Sequence, residues 1–462
     1  MTNTVIASVG KVGRDRAVVM GGSIAGLAAA RVLSDHFREV ILVERDQFGA
    51  VGEQRRGVPQ GRHTHGLLAG GLRALERFFP GLFEEAQRAG GLGVDLTRDA
   101  YWCFEGGEYR RFASDLEGLL ISRPLLEGII RERVRCIPNV QFRDGWQVQG
   151  LISSSGNRRI TGIKVGGEVT RAVLADLVVD ATGRGSHSPI WLEAMGYGKP
   201  EEERIEVNMG YATCNFRRTR EHLNGAWLAS IPATPNNKRG GVIVAQEGER
   251  WVVTLSARSG EAVPTDVGSF IEFARTLPAP HIYSVVSRAQ AIGEPRTARF
   301  PASVRRRYER MNRFPAGFLV LGDAICSFNP VYGQGMSVAA LEAFELDEAL
   351  REQPRKLAQR FFARAAKIVD APWSMAAGND LRMPDVPGKR TVVGRFLHWY
   401  LAKLNVAARH DMSAVMAFQK ASNLLAPPQS LLKPQLVARV LSAAFSLRPM
   451  TRASVKSAQQ TA

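Results

Sequence analysis

Three glycine-containing segments carry residue types that suit the binding of a nucleotide. They are residues 21–26 (GGSIAG), residues 180–186 (DATGRGS) and residues 322–336, which begin with Gly-Asp and end with Gly-Gln-Gly-Met. Glycine lets backbone amides approach phosphate oxygens closely, and a helix that begins there adds unpaired N–H groups and a favourable dipole. A nicotinamide dehydrogenase needs only the first segment. Three such segments indicate an extended flavin dinucleotide, whose two halves need separate cradles.

The first segment lies at a strand–turn–helix junction. The apolar run 16–20 precedes it, an alanine-rich helix follows it, and a second apolar run ends at Glu44. This order predicts the βαβ unit of a dinucleotide-binding sheet. In the GxGxxG pattern Gly21 permits the tight turn and Gly26 permits close helix–strand packing. Ser23 replaces the middle glycine and offers a hydroxyl to a phosphate oxygen.

The same unit supplies further candidate cofactor-binding residues. We assign Ile24 and Ala25 to this site because they complete the turn. Glu44 lies 18 residues after Gly26, where a carboxylate accepts hydrogen bonds from a ribose diol. Arg45, next in sequence, is expected against the adenosine ribose.

Two titratable side chains are candidates for acid–base chemistry, His65 in the loop GRHTHG and Tyr332 in the third segment. His63 and His65 are spaced i, i+2 without accompanying carboxylates, so no metal site is expected. A phenol substrate would need a base to remove its hydroxyl proton, whereas an alkene would not. The alternative role for the two histidines is to stabilise the loop.

Periodicity predicts the elements that position these residues. We expect helices over 67–79 and 121–134, the second capped by Ser122. We expect strands over 140–148, 160–169 (with a hairpin turn at Gly166-Gly167), 174–180 and 318–321. Closely spaced strand-like segments between 204 and 302 indicate an antiparallel sheet in a second lobe.

The composition limits the class of protein to which the chain can belong. The chain has 462 residues, of which 45% are apolar and 23% charged, so it can bury a core and is not disordered. Its four cysteines show no CxxC spacing, which argues against a disulfide framework or zinc site and fits a reducing cytoplasm. Residues 1–16 show no secretory signal, and no apolar run reaches the ~20 residues of a membrane span. We expect a soluble cytoplasmic protein.

The net charge of +17 is concentrated near the C-terminal end. Residues 351–462 hold 18 Lys and Arg against 5 Asp and Glu, which accounts for +13. Since no nucleic-acid-binding signature accompanies this charge, we expect no nucleic acid partner. A solvated basic face is one interpretation, and peripheral contact with an anionic membrane is another. An apolar helical stripe within 434–447 would lie on the bilayer or, as we favour, dock against the first lobe.

Residues 317–343 (GFLVLGDAICSFNPVYGQGMSVAALEA) resemble the class A FAD-dependent monooxygenases, a family of aromatic hydroxylases and epoxidases. The resemblance implies that FAD is bound, with Asp323 on the ribityl chain. It places Gly333, Gly335 and Met336 along the pyrimidine edge of the flavin, where helix N–H groups would stabilise the negative charge of the reduced form.

The same resemblance extends over roughly three-quarters of the chain and implies further contacts. Arg123 would reach the FAD phosphates, and the backbone of Val148 would touch adenine. Gly183 belongs to the second segment, where Thr182 stands in place of the family's usual acid. Because the chain has no second GxGxxG, NAD(P)H is expected as a transient co-substrate, or a separate flavin reductase would supply electrons.

The implied fold is α/β, in three regions. A discontinuous Rossmann-like FAD-binding domain covers 14–93, 116–190 and 298–350, and a substrate domain with an antiparallel β-sheet covers 94–115 and 191–297. Residues 351–462 form a helical, basic C-terminal region in which prolines, among them Pro372, break the helices.

The implied function is insertion of one oxygen atom from O2 into a small organic substrate through a flavin C4a-hydroperoxide. The reaction would be hydroxylation of an aromatic or polyketide-like compound, or epoxidation of an alkene. Halogenation is an alternative, because Trp227 to Pro232 (WLASIP) matches the halogenase marker WxWxIP except for Ala229. A flavin dehydrogenase or reductase of a lipophilic substrate also fits these motifs, as does an FAD-containing regulatory or membrane-docking protein without turnover.

Overall fold

The computed structural model describes residues 14–105, 107–166, 170–258, 260–352 and 356–446, with the backbone alone at 444–446. Most of the segment searched for a secretory signal, and Gly167 of the predicted hairpin turn, lie outside these residues. No helix within the described ranges is long and apolar enough to cross a bilayer.

The strands are short apart from two long ones in the second lobe. In chain order they are β1 Arg16–Met20, β2 Glu39–Glu44, β3 Leu92–Asp95, β4 Ala100–Phe104, β5 Gly107–Glu108, β6 Glu117–Leu120, β7 Val140–Asp144, β8 Gln147–Ser153, β9 Ile160–Gly166, β10 Thr170–Leu174, β11 Leu177–Asp180, β12 Glu202–Arg217, β13 Leu228–Ile231, β14 Arg239–Gln246, β15 Arg250–Ala257, β16 Ala291–Arg306, β17 Phe318–Val320 and β18 Cys326–Ser327.

The helices flank the first sheet and then dominate the C-terminal part of the chain. In chain order they are α1 Ile24–Ser34, α2 Ala69–Phe78, α3 Leu82–Arg88, α4 Arg123–Arg135, α5 Ser188–Ala194, α6 Val267–Arg275, α7 His281–Val286, α8 Gly335–Glu352, α9 Leu357–Asp380, α10 Val392–Ala407, α11 Met412–Ser422 and α12 Pro434–Ser446.

A parallel sheet with the order β17-β11-β1-β2-β7 forms the first lobe and confirms the Rossmann-like fold class. Its central strands are continuous buried apolar runs, as expected where helices cover both faces. Met20 pairs with Asp180, and Asp180 with Val320. The three glycine-containing segments therefore leave neighbouring strands at the same carboxyl edge.

The second lobe is built on a sheet with the order β18-β16-β12-β15-β14-β13-β4-β5. Its described pairs are antiparallel, as predicted, except that β4 and β13 run parallel. The buried cluster between this sheet and helices α6 and α7 includes Phe216, Trp251 and Phe270. The boundaries proposed for the three regions stay predictions.

The expected strand over 140–148 is wrong, since the segment forms two strands in different sheets. β7 joins the parallel sheet, whereas β8 begins the three-stranded sheet β10-β9-β8. Between them Gly145 adopts φ +74°, a left-handed conformation that turns the chain.

The C-terminal region is helical as predicted, but Pro372 does not break a helix. It lies inside α9, whose buried side chains Phe361, Phe362, Val369 and Trp373 pack into the core of the first lobe. This packing offsets the hydrogen bond that proline cannot donate. Of the predicted terminal stripe, Leu436 and Val440 on α12 pack in a cluster with α10 and α11, not against the first lobe.

Candidate functional site

The three glycine-containing segments meet around Gly322 and Asp323, and a Cβ placed on Gly322 would lie 2.8 Å from the Cβ of Ala25. A Cβ placed on Gly335 would lie 3.3 Å from Asp323 Oδ1, and one placed on Gly183 would lie 3.9 Å from its Cβ. Asp323, Gly183 and Gly335 line one cavity of about 1210 Å³, together with Ala25 and Arg123. The sheet order thus joins segments that are far apart in sequence.

Backbone crowding explains the glycines of the first segment. Gly21 has φ +101°, and a Cβ there would lie 2.5 Å from the carbonyl oxygen of Ala181. A Cβ on Gly26 would lie 1.8 Å from the carbonyl oxygen of Gly21. Ile24 and Ala25 open helix α1, so their N–H groups lack intrahelical acceptors and lie at the positive end of the helix dipole.

Arg123 is held against this turn by a buried cluster. Its Nη2 donates to Ser23 Oγ at 2.8 Å, and that hydroxyl donates to Glu127 Oε2 at 2.5 Å. Glu127 also accepts from Arg55 Nε at 2.8 Å, and Arg55 Nη1 lies 3.2 Å from Glu44 Oε2. Asp46 Oδ2 lies 3.8 Å from Arg55 Nη1 as a third carboxylate, and the cluster fixes Arg123 beside the first turn of α1.

Arg55 and Glu127 were missed by the sequence reasoning. Glu127 follows Arg123 by four positions on α4, a spacing that places both on one helix face and was an available signal. Arg55 lies in a loop without periodicity, so no sequence pattern indicated its role. Ser122 caps α4 as predicted, accepting from the backbone N–H of Leu125.

Glu44 is engaged by the backbone. Its Oε2 accepts from the N–H of Gly22 at 2.8 Å and its Oε1 from that of Asp46 at 3.0 Å. The Glu44 carboxylate therefore also fixes the conformation of the glycine turn. Arg45 and Val148 line the cavity, as a contact with adenosine requires.

Asp180 organises the second segment. Its Oδ1 accepts from the backbone N–H of Thr182 at 2.9 Å, and its Oδ2 accepts from the hydroxyls of Ser186 and Ser188. The carboxylate is fully buried, and both of its oxygens accept hydrogen bonds from the loop that follows it. The loop then presents Gly183, with φ +81°, to the cavity.

The third segment supplies an acid and a helix N-terminus. Burial raises the pKa of Asp323, against the opposing charges of Arg123 and Arg184. Behind it the backbone N–H of Gly322 donates to Glu342 Oε2 at 2.6 Å. Gly335 begins α8 and is followed by the buried Met336, so unpaired amides of α8 adjoin the cavity.

His65 stays neutral at physiological pH. Burial, and then the charge of Arg123, lower its pKa to about 3. Its Nδ1 lies 2.9 Å from the carbonyl oxygen of His63, which only accepts, so Nδ1 carries the proton. His63 in turn bonds Thr213 Oγ1 at 2.8 Å, and burial lowers its pKa too. Both histidines line the cavity.

Tyr332 is held as a neutral phenol. Its hydroxyl donates to Asp380 Oδ1 at 2.9 Å and accepts from Asn379 Nδ2 at 3.0 Å. Burial, and then the charge of Asp380, raise its pKa well above the usual value. It can therefore position a group but is a poor base.

The cavity continues from the three segments into an apolar chamber. One wall is the second-lobe sheet and the other is formed by α10, α11 and the turn before α12. Its apolar lining includes Trp102, Leu228, Val244, Leu401, Phe418 and Leu431. The segment Trp227 to Pro232 contributes Leu228, Ser230 and Pro232 to this wall, whereas Ala229 and Ile231 are buried behind it.

The residues present fit an FAD. The backbone of Gly21 and Gly22 lines the cavity directly, and the buried Arg123 Nε, 3.7 Å from Glu127 Oε2, makes no hydrogen bond to the described residues. A guanidinium N–H that is free to donate, beside a helix N-terminus, matches the oxygens of a diphosphate. The assignments of individual residues to cofactor atoms stay predictions.

Comparisons with known proteins agree with this geometry. No protein-family model matches the chain. Protein Rv3254 of Mycobacterium tuberculosis (strain ATCC 25618 / H37Rv) is 33% identical over 393 residues, which cover 80% of this chain and 82% of that protein. The chain belongs to the same family as Rv3254.

Solved structures show the fold of this family. The flavin-dependent brominase Bmp2 aligns with a TM-score of 0.67 at 14% identity, over 94% of this chain and 98% of its own. PqsL of Pseudomonas aeruginosa, a probable FAD-dependent monooxygenase, aligns with a TM-score of 0.58 at 17% identity, over 88% of this chain and 99% of its own. The p-nitrophenol 4-monooxygenase PnpA of Pseudomonas putida DLL-E4 aligns with a TM-score of 0.59 at 15% identity, over 94% of this chain and 99% of its own. The fold is that of the class A flavoprotein monooxygenases and halogenases.

Proposed function

We propose that the chain is an FAD-dependent monooxygenase that inserts one oxygen atom from O2 into a lipophilic organic substrate. The observation that carries the proposal is the continuity of the cavity, which joins a three-segment dinucleotide cradle directly to an apolar chamber. Bound FAD would supply the activation of oxygen, which no amino-acid side chain provides.

Different residues of the chain would bind different parts of FAD. The N-terminus of α1 and Arg123 would hold the diphosphate, because both offer unpaired N–H donors there. Asp323 would accept from the ribityl hydroxyls. The amides that open α8 at Gly335 would face the oxygen-bearing edge of the flavin and stabilise negative charge on it.

The chamber would exclude water and hold the substrate close to the flavin, as oxygen transfer requires. Burial lowers the pKa of His63 and His65, which makes both imidazoles weak bases, and raises the pKa of Tyr332, whose phenol keeps its proton. We therefore favour a substrate whose oxidation needs no proton removal by these groups. An alkene meets that condition better than a phenol. His65 and Tyr332 then orient groups at the cavity wall and do not act as bases.

Electrons would come from NAD(P)H that docks transiently, or from a separate flavin reductase. The proposal is tested by purifying the chain with FAD and offering a panel of alkenes and phenols with NADH, NADPH or a general reductase. We expect substrate-stimulated cofactor oxidation and a product heavier by one oxygen atom, which 18O2 would label. An unlabelled product, or turnover without O2, would instead indicate a dehydrogenase or reductase.

Halogenation is the second candidate, because WLASIP lies on the cavity wall and Bmp2 shares the fold. The same assay with and without chloride and bromide separates the two reactions. A halide-dependent product carrying halogen would replace the monooxygenase proposal.

A further inference from the structure

Helix α10 presents an apolar stripe to solvent. Among the described residues, eleven large apolar side chains are exposed, and four of them lie on this helix: Val392 (71% exposed), Val393 (67%), Phe396 (54%) and Trp399 (44%). Their spacing of three and four positions puts Val392, Phe396 and Trp399 on one face. We call these four residues the α10 patch. The opposite face, with Tyr400 and Leu404, is buried in the C-terminal cluster.

The α10 patch adjoins the mouth of the cavity. Val393 is exposed and also lines the cavity, and so does Leu432 (40% exposed) from the turn before α12. Leu397 and Leu401, further along the same helix, continue the lining inward. The patch therefore borders the cavity through Val393, and the lining beside it combines these apolar residues with Thr391 and His398.

The chain segment that carries the patch is basic. Residues 388–407 hold Lys389, Arg390, Arg395 and Lys403 and no Asp or Glu. Over 381–443 the chain has nine Lys and Arg against two Asp, and two of these cations are in ion pairs, Arg382 with Glu105 and Arg439 with Asp411. Apolar side chains with Trp among them, flanked by cations, are what an anionic lipid surface binds, through burial at the headgroup boundary and attraction to acidic headgroups.

We infer that the α10 patch docks on an anionic lipid surface with the cavity mouth against the bilayer. The patch is thus placed on α10, rather than on the α12 stripe, whose Val440 is fully buried. That a lipophilic substrate enters the chamber from the bilayer rests on the proposed function, whereas docking itself does not.

The test is co-sedimentation of the FAD-loaded full chain with vesicles of phosphatidylcholine, with or without about one-third phosphatidylglycerol. We expect binding to the anionic vesicles that weakens with salt. The variant Phe396→Ser/Trp399→Ser should bind them at least ~10-fold more weakly. Leu174→Ser, at an equally exposed leucine (58%) on β10, is the matched control and should bind as the wild type does.

Each other result overturns the inference. Equal binding by the double variant would place the contact elsewhere. No vesicle binding by the wild type, with a change of oligomeric state in the double variant, would make the patch an interface between copies of the chain. The flavin absorbance of each variant is measured in the same samples. A variant that keeps its flavin but no longer binds vesicles has lost docking alone, whereas loss of flavin bears on the proposed function.

Discussion

Arg258 and Asp380 form a fully buried ion pair, with Nη2 and Oδ1 2.6 Å apart, although they are 122 positions apart in sequence. Arg258 follows β15 and Asp380 ends α9, so the pair ties the second-lobe sheet to the C-terminal helices. Asp380 also accepts from Asn329 Nδ2 at 3.1 Å and from the Tyr332 hydroxyl at 2.9 Å. The pair thereby anchors the third segment at the cavity wall.

Removal of one partner should destabilise the protein strongly. We expect Asp380→Leu to lower the free energy of unfolding by about 3–5 kcal/mol, because it leaves the Arg258 charge buried and unpaired. Arg258→Met/Asp380→Leu should recover much of that loss. Glu272→Ala breaks an exposed pair with Arg275 on α6 and should cause no measurable change. Urea unfolding measures all three, and a double variant as unstable as the single one would contradict the expectation.

Gly26 should be irreplaceable in the first segment. In Gly26→Ala the new Cβ would meet the carbonyl oxygen of Gly21 at 1.8 Å, which forces α1 away from the turn. We expect FAD affinity to fall at least ~10-fold, or about 1.4 kcal/mol. Gly150→Ala on β8 meets no atom within 4 Å and should retain FAD. Flavin absorbance after gel filtration is the readout, and equal flavin content in both variants would refute the assigned turn.

Arg123 should contribute directly to FAD affinity. A charge-assisted hydrogen bond to phosphate contributes about 1.5–3 kcal/mol, so Arg123→Met should raise the dissociation constant of FAD roughly 10- to 100-fold. Arg135→Met, at an exposed residue of the same helix that pairs with Glu132, serves as the control. Titration of the apoprotein with FAD measures both constants. An unchanged constant in Arg123→Met would leave that residue a purely structural role.

Glu342 should make stability depend on pH. Burial raises its pKa from 4.5 to about 8, so the folded state binds its proton more tightly than the unfolded state does. Its contribution to the free energy of unfolding is therefore present below pH 4.5, falls as the pH rises towards 8, and is constant above.

Glu342→Gln keeps an acceptor for the Gly322 N–H but removes the titration. Its Tm relative to the wild type should be higher by a few degrees at pH 9 than at pH 5. Thermal unfolding across this range measures the difference. Parallel Tm curves for the two proteins would show that Glu342 does not titrate in this window.

The sequence by itself determined the elements whose signals are local. Strand, glycine turn, helix and Glu44 follow within 30 positions, and sterics at Gly21 and Gly26 admit few other residues, so the βαβ unit was readable. The capping of α4 by Ser122 depends only on adjacent residues. A local turn residue, Gly145, was nevertheless overlooked and divided the expected strand over 140–148.

Tertiary structure decided whatever depends on contacts between distant segments. The pairing of Arg258 with Asp380, and the approach of Arg55 to Glu127, follow from how the sheets and helices pack, for which no spacing rule exists. Pro372 stays helical because the core holds α9 in place, which overrides the local preference of proline. Packing likewise decided which apolar side chains remain in water, because Phe396 and Trp399 of α10 are exposed whereas Leu436 and Val440 of α12 are buried.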